Sequence, residues 1–65
     1  MLVNQIDKDT NKIIAQYYSM NEAARAMLEQ GYTNCNPGTG SSHISQVCQG
    51  KRKTFAGFKW EKVNN

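Results

Sequence analysis

The segment SMNEAARAMLEQG, residues 19–31 of a 65-residue chain, has the strongest folding signal in the sequence. Ser19 followed three residues later by Glu22 is a capping box, in which the serine hydroxyl accepts the Glu22 backbone N–H. Gly31 supplies a helix stop at the other end. The pattern predicts an amphipathic helix with one core-facing stripe. The stripe consists of Met20, Ala23, Ala24, Met27 and Leu28.

Two β-rich segments precede this helix. Residues 2–6 and 12–18 are rich in β-branched and aromatic side chains, and residues 7–11 between them have the composition of a turn. We therefore predict a β-hairpin. Alternation separates the second strand into two faces, and the pattern leaves open which of them meets the core. The two faces are Ile13, Ala15 and Tyr17, and Ile14, Gln16 and Tyr18.

A second, shorter helix is predicted in the last third of the chain. Residues 31–41 contain many breakers of regular structure and predict an exposed loop. The helix then begins with Ser41 or Ser42 as its N-cap and ends at Gly50. Its predicted inner edge consists of Ile44, Val47 and Cys48. Since it has barely two turns, this helix depends on packing against the first one.

The C-terminal segment, residues 58–63, alternates apolar with charged residues. This pattern predicts a half-buried strand in which Phe58 and Trp60 share the buried face. A third strand of this kind pairs naturally beside the hairpin. We therefore predict one small α+β domain spanning residues 1–65, in the order β-β-α-α-β, with both helices on one side of the sheet.

Positive charge is concentrated in the C-terminal part of the chain. The formal net charge is +3, but residues 1–41 contain three cations against four anions. Residues 42–65 contain five cations against Glu61 alone. The five cations are Lys51, Arg52, Lys53, Lys59 and Lys62. This asymmetry favours a polyanionic partner such as nucleic acid, with a basic surface that only aids solubility as the alternative.

Other classes of protein are disfavoured by what the sequence contains. No apolar run approaches the roughly 20 residues needed to span a bilayer and no signal peptide is present, which predicts a cytoplasmic protein. One histidine without an acidic pair or a nucleophile at useful spacing predicts a non-catalytic module. No metal or cofactor is predicted. A zinc site at Cys35, His43 and Cys48 would lack a CxxC pair and a fourth ligand. Calcium binding at residues 7–18 would need glycine at Lys12 and glutamate at Tyr18.

Three segments together resemble a known family. They are VNQID at residues 3–7, IIAQYYSMNEAA at residues 13–24, and ISQVCQGKRKTFAGFKW at residues 44–60. They are similar to the nuclease-associated modular domain, or intron-encoded nuclease repeat, that is appended to phage and mobile-intron homing endonucleases. The resemblance implies a double-stranded DNA-binding module with a helix-turn-helix-like second helix, which positions a separate nuclease domain. Residues 31–42 are longer than the joint usual in that family.

The predicted DNA contacts follow from placing the second helix, about residues 42–49, in the major groove. The outward side chains expected to contact base edges are Ser42, His43, Ser45, Gln46 and Gln49. The side chains expected to contact phosphates are Lys51, Arg52, Lys53 and Thr54. Two alternatives stay open. One is binding of RNA or single-stranded DNA by stacking on Phe55, Phe58 and Trp60, and the other is a protein-interaction module.

Overall fold

The computed structural model describes residues 2–63, so residues 1, 64 and 65 of the predicted domain lie outside the described range. Its three strands form one antiparallel sheet in the order β2-β1-β3. The elements in chain order are β1 (Leu2–Asp7), β2 (Ile13–Tyr17), α1 (Met20–Glu29), α2 (Pro37–Cys48) and β3 (Phe58–Val63). The predicted α+β class and the order β-β-α-α-β are confirmed.

One face of the sheet packs against the helices. Gln5 of β1 lies opposite both Ala15 of β2 and Trp60 of β3, so these residues share that face. Tyr17 of the same face packs on Trp60 with ring centroids 6.1 Å apart. The core that this face forms with the helices consists of Val3, Ala23, Ala24, Met27, Ile44, Phe55 and Trp60.

An irregularity in β2 decides which of its residues turn inward. The pairing passes from Gln5 opposite Ala15 to Ile6 opposite Ile13, so Ile14 is an extra residue in a β-bulge. Ile13 and Ile14 are therefore both exposed, at 61% and 52%. Simple alternation would group Ile13 with Ala15 on the inner face, and the bulge removes it from there.

Helix α1 forms as its sequence predicts. The Ser19 hydroxyl accepts the Glu22 backbone N–H at 3.1 Å. At the other end, Gly31 has φ +79°, and the Tyr32 N–H donates to the Met27 carbonyl at 2.9 Å, which is a Schellman motif. Of the predicted stripe, Ala23, Ala24 and Met27 are buried, whereas Met20 is half-buried and Leu28 is 36% exposed.

Helix α2 begins earlier than predicted. The prediction of a loop over residues 31–41 and an N-cap at Ser41 or Ser42 is wrong, because Asn36 is the N-cap and Pro37 the first helical residue. The Asn36 side-chain oxygen accepts the Thr39 N–H at 2.8 Å, and proline at the first position lacks only an N–H that the helix does not use. The connection between the helices therefore spans residues 30–36 and is shorter than predicted.

A glycine inside α2 allows the two helices to approach closely. A Cβ at Gly40 would lie 2.9 Å from the Ala24 Cβ and 3.2 Å from the Phe55 Cζ. Glycine disfavours a helix in isolation, but at position 40 it lets α2 pack closely on α1. The face of α2 opposite this contact is exposed to solvent.

Candidate nucleic-acid interface

The outer face of α2 is a row of exposed, uncharged polar side chains. Ser42, Gln46 and Gln49 lie on it, as predicted for base-contacting residues, and all three are exposed. Thr39, one helical turn before Ser42, is also exposed and extends the row. The predicted loop over residues 31–41 excludes Thr39 from the base-contacting set, although the Asn36-Pro37 pair signals the helix start.

Ser45, a predicted base contact, lies on the flank of α2 that faces α1. It is half-buried, and its hydroxyl accepts the Gln49 side-chain N–H at 3.1 Å. An open cleft of about 380 Å³ lies beside it. The cleft is lined by Ser19, Met20, Asn21, Ser41, Ser42 and Ser45. Ser45 thus orients Gln49 and borders the outer face.

His43, also predicted to contact bases, lies on the opposite flank. Its ring packs against Phe55 with centroids 5.5 Å apart and planes inclined by 59°. The residue as a whole is half-buried. Its Nδ1 is buried and has no hydrogen-bond partner among residues 2–63. His43 is therefore less accessible than Ser42, Gln46 and Gln49.

The basic segment, residues 51–53, follows α2 without a flexible joint. Gly50 has φ +79°, and the Lys51 N–H donates to the Gln46 carbonyl at 2.9 Å in a second Schellman motif. Arg52 Nε donates to the Thr54 carbonyl at 3.0 Å. All three cations are exposed, while Thr54 is half-buried. The backbone therefore holds the predicted phosphate contacts next to the end of the outer face.

A tight turn anchors the basic segment to the sheet. Phe55 and Phe58 exchange two backbone hydrogen bonds of 2.9 and 3.0 Å, and the Trp60 indole N–H donates to the Phe55 carbonyl at 3.0 Å. Ala56 and Gly57 between them both have positive φ, as a type I′ turn requires. Phe55 and Trp60 are each only 3% exposed, so neither presents a ring face for base stacking.

Lys59 and Cys48 have contacts away from the outer face of α2. Lys59 Nζ donates to the Asn11 side-chain oxygen at 2.9 Å, which ties it to the hairpin turn. Burial raises the pKa of the Cys48 thiol, and the charge of nearby Lys62 opposes that shift. Cys48 is half-buried against the core, as predicted for a small apolar residue.

Residues 2–63 contain no group of three or more His, Cys, Asp or Glu side chains placed to hold a metal ion, so Cys35, His43 and Cys48 form none. Within the same residues, neither helix has the length and apolar character needed to cross a membrane. Comparisons with known protein families, with curated proteins and with solved structures give no match to this chain.

Proposed function

We propose that this chain is a double-stranded DNA-binding module in which α2 enters the major groove and residues 51–53 contact phosphates. The main support is the continuity between the uncharged outer face of α2 and the exposed basic segment, fixed by the Lys51 to Gln46 hydrogen bond. A helix about 10–12 Å wide fits a major groove about 12 Å wide. Uncharged polar side chains can then meet base edges while the adjacent cations meet phosphates.

The chemistry of the outer face suits sequence recognition. The side-chain amides of Gln46 and Gln49 each offer a donor and an acceptor, which match N6 and N7 of adenine. Ser42 and Thr39 offer hydroxyls that serve more than one base. We expect the glutamines to contribute most of the sequence preference, at about 1–3 kcal/mol for a well-placed bidentate pair.

The resemblance to nuclease-associated modules extends the proposal to the biological role. In that role the module is not itself catalytic, and it holds a linked or associated nuclease domain of the homing or HNH type at its target. The proposed compartment is the cytoplasm, where phage and bacterial DNA lies.

A salt titration of binding to random-sequence duplex DNA tests the proposal. Affinity should fall with rising salt, with a slope of about 0.9 in log affinity against log salt per phosphate contacted. The double variant Lys51→Glu, Lys53→Glu should lower the affinity more than tenfold at low salt and reduce the slope by about 2.

The matched control is Lys8→Glu with Lys12→Glu, the same charge reversal at exposed positions around the hairpin turn. It changes the net charge by the same amount as the first double variant, so it measures the long-range effect of net charge alone. The proposal fails if the unmodified protein does not bind duplex DNA at low salt, or if both double variants reduce binding equally.

A further inference from the structure

The ring of His43 is held in one orientation. One side of it packs on Phe55, and Phe55 cannot shift easily because its backbone pairs with Phe58 and its carbonyl accepts the Trp60 indole N–H. Phe55 also fills the space beside Gly40, one turn before His43. The two ring nitrogens of His43 therefore have different, fixed environments.

These environments decide which nitrogen is protonated in the neutral ring. A neutral imidazole has one N–H and one lone pair. Nδ1 is buried with no partner among residues 2–63, so a proton there would be a buried donor without an acceptor. Orphaned buried N–H groups are rarer in proteins than acceptors with an unused lone pair. Nε2 is not a buried atom without a partner, so the proton belongs there.

We propose that His43 reads DNA through one fixed donor, Nε2–H, aimed at an acceptor on a base edge in the major groove. This inference rests on the proposed function and specifies the chemistry of one of its contacts. Guanine offers two adjacent acceptors, N7 and O6, whereas cytosine offers only a donor, its N4 amino group. Adenine N7 and thymine O4 also accept one hydrogen bond each, so His43 rejects cytosine and favours guanine only through its second acceptor. Gln46 and Gln49 differ from it because their amides can both donate and accept.

The protonation state can be measured on the free protein. Long-range ¹H–¹⁵N NMR correlations at neutral pH distinguish the two neutral forms of a histidine ring. We expect the pattern of the Nε2–H form for His43. Observation of the Nδ1–H form would overturn the inference without involving DNA at all.

Substitution His43→Phe tests the DNA contact. Phenylalanine retains a ring against Phe55 and removes both nitrogens, including the buried one without a partner, so the melting temperature should not fall. Binding sites selected from a random duplex library should lose their guanine preference at one position, by about five- to tenfold. Replacing that guanine by 7-deazaguanine should weaken binding by the unmodified protein and not by the variant.

Two further variants keep the test decisive. Tyr32→Phe removes a polar group from another partly exposed aromatic, which contacts Phe58 edge to face, and should leave the selected sequence unchanged. If His43→Phe does not fold, His43→Gln provides the test, since glutamine can also accept a hydrogen bond and should therefore admit cytosine at that position.

The outcomes separate this inference from the proposed function. Unchanged selectivity in His43→Phe, with duplex binding that still depends on residues 51–53, overturns the role of His43 alone. Absence of duplex binding by the unmodified protein overturns both.

Discussion

The two helices are similar in their ends and different in how they are held. Both finish at a glycine with φ +79° in a Schellman motif. Helix α1 fills the core with side chains, among which Met27 is fully buried. Helix α2 approaches α1 closely at Gly40, which has no side chain, and its other buried residue is Ile44. The difference shows how a helix in a very small domain can be firmly docked while one of its faces stays available to a partner.

Met27→Ala should have the largest effect on stability. Removing this fully buried side chain should lower the free energy of unfolding by about 2–5 kcal/mol, which is a large fraction of the stability of a domain this small. The matched substitution on α2, Gln46→Ala, should change it by less than about 0.5 kcal/mol. Urea unfolding followed by circular dichroism measures both. Comparable losses would contradict the placement of Met27 in the core and Gln46 on the exposed face of α2.

A pair of glycine substitutions tests the contact between the helices. Gly40→Ala should lower the free energy of unfolding by about 1–2 kcal/mol, because overpacking against the rigid Ala24 Cβ outweighs the better helix propensity of alanine. In Gly38→Ala the added Cβ meets only the Asn36 side-chain oxygen, at 3.4 Å. This substitution should raise the free energy of unfolding by about 0.5 kcal/mol. Thermal melts of both variants provide the measurement. A gain in both would mean that α2 does not pack closely at Gly40.

The start of α2 can be located by its cap. Asn36→Ala removes the acceptor for the Thr39 N–H and should lower the free energy of unfolding by about 1 kcal/mol. Ser42→Ala, at one of the two predicted N-cap positions, should have almost no effect, since residue 42 is an exposed position inside the helix. Chemical denaturation of the two variants gives the comparison. A larger loss of stability for Ser42→Ala than for Asn36→Ala would support the shorter, predicted helix instead.

Acid should affect the hairpin turn and leave the contact between the helices intact. Hydrogen bonds from the Asp9 and Thr10 backbone N–H groups lower the pKa of Asp7, so the ionised carboxylate stabilises the fold at neutral pH. That small stabilisation is complete above the unfolded pKa of about 4 and is lost as pH falls through the lower folded value. The free energy of unfolding, measured from pH 6 to pH 2, should show this loss. In the Asp7→Asn variant this part of the pH dependence should be absent.

Most of the fold could be predicted because its signals are local. The capping box at Ser19, the stops at Gly31 and Gly50, and the alternation in residues 58–63 each specify their element without help from distant residues. The side of β2 that faces the core could not be predicted. It depends on a bulge opposite Ile6, which only the pairing of two strands defines.

The early start of α2 has one local signal, the Asn36-Pro37 pair, but the glycines that follow argue against it for a tertiary reason. Gly38 and Gly40 resemble a loop in sequence, and only the position of Ala24 explains why a helix tolerates Gly40. The same limit applies to the candidate site. Residue type and helical spacing predict Ser42, Gln46 and Gln49 as an exposed set, whereas the partial burial of His43 depends on Phe55, twelve residues further along the chain.

The central claim is that α2 and the basic segment form the surface that meets DNA, while α1 and the sheet support them. Backbone amide shifts measured by NMR during titration with random-sequence duplex DNA test this most directly. We expect the largest changes at Ser42, Gln46, Gln49 and residues 51–54, and little change at Ile13 and Ile14 on the open face of the sheet. Changes concentrated on that face, or none with duplex in excess at low salt, would contradict the account.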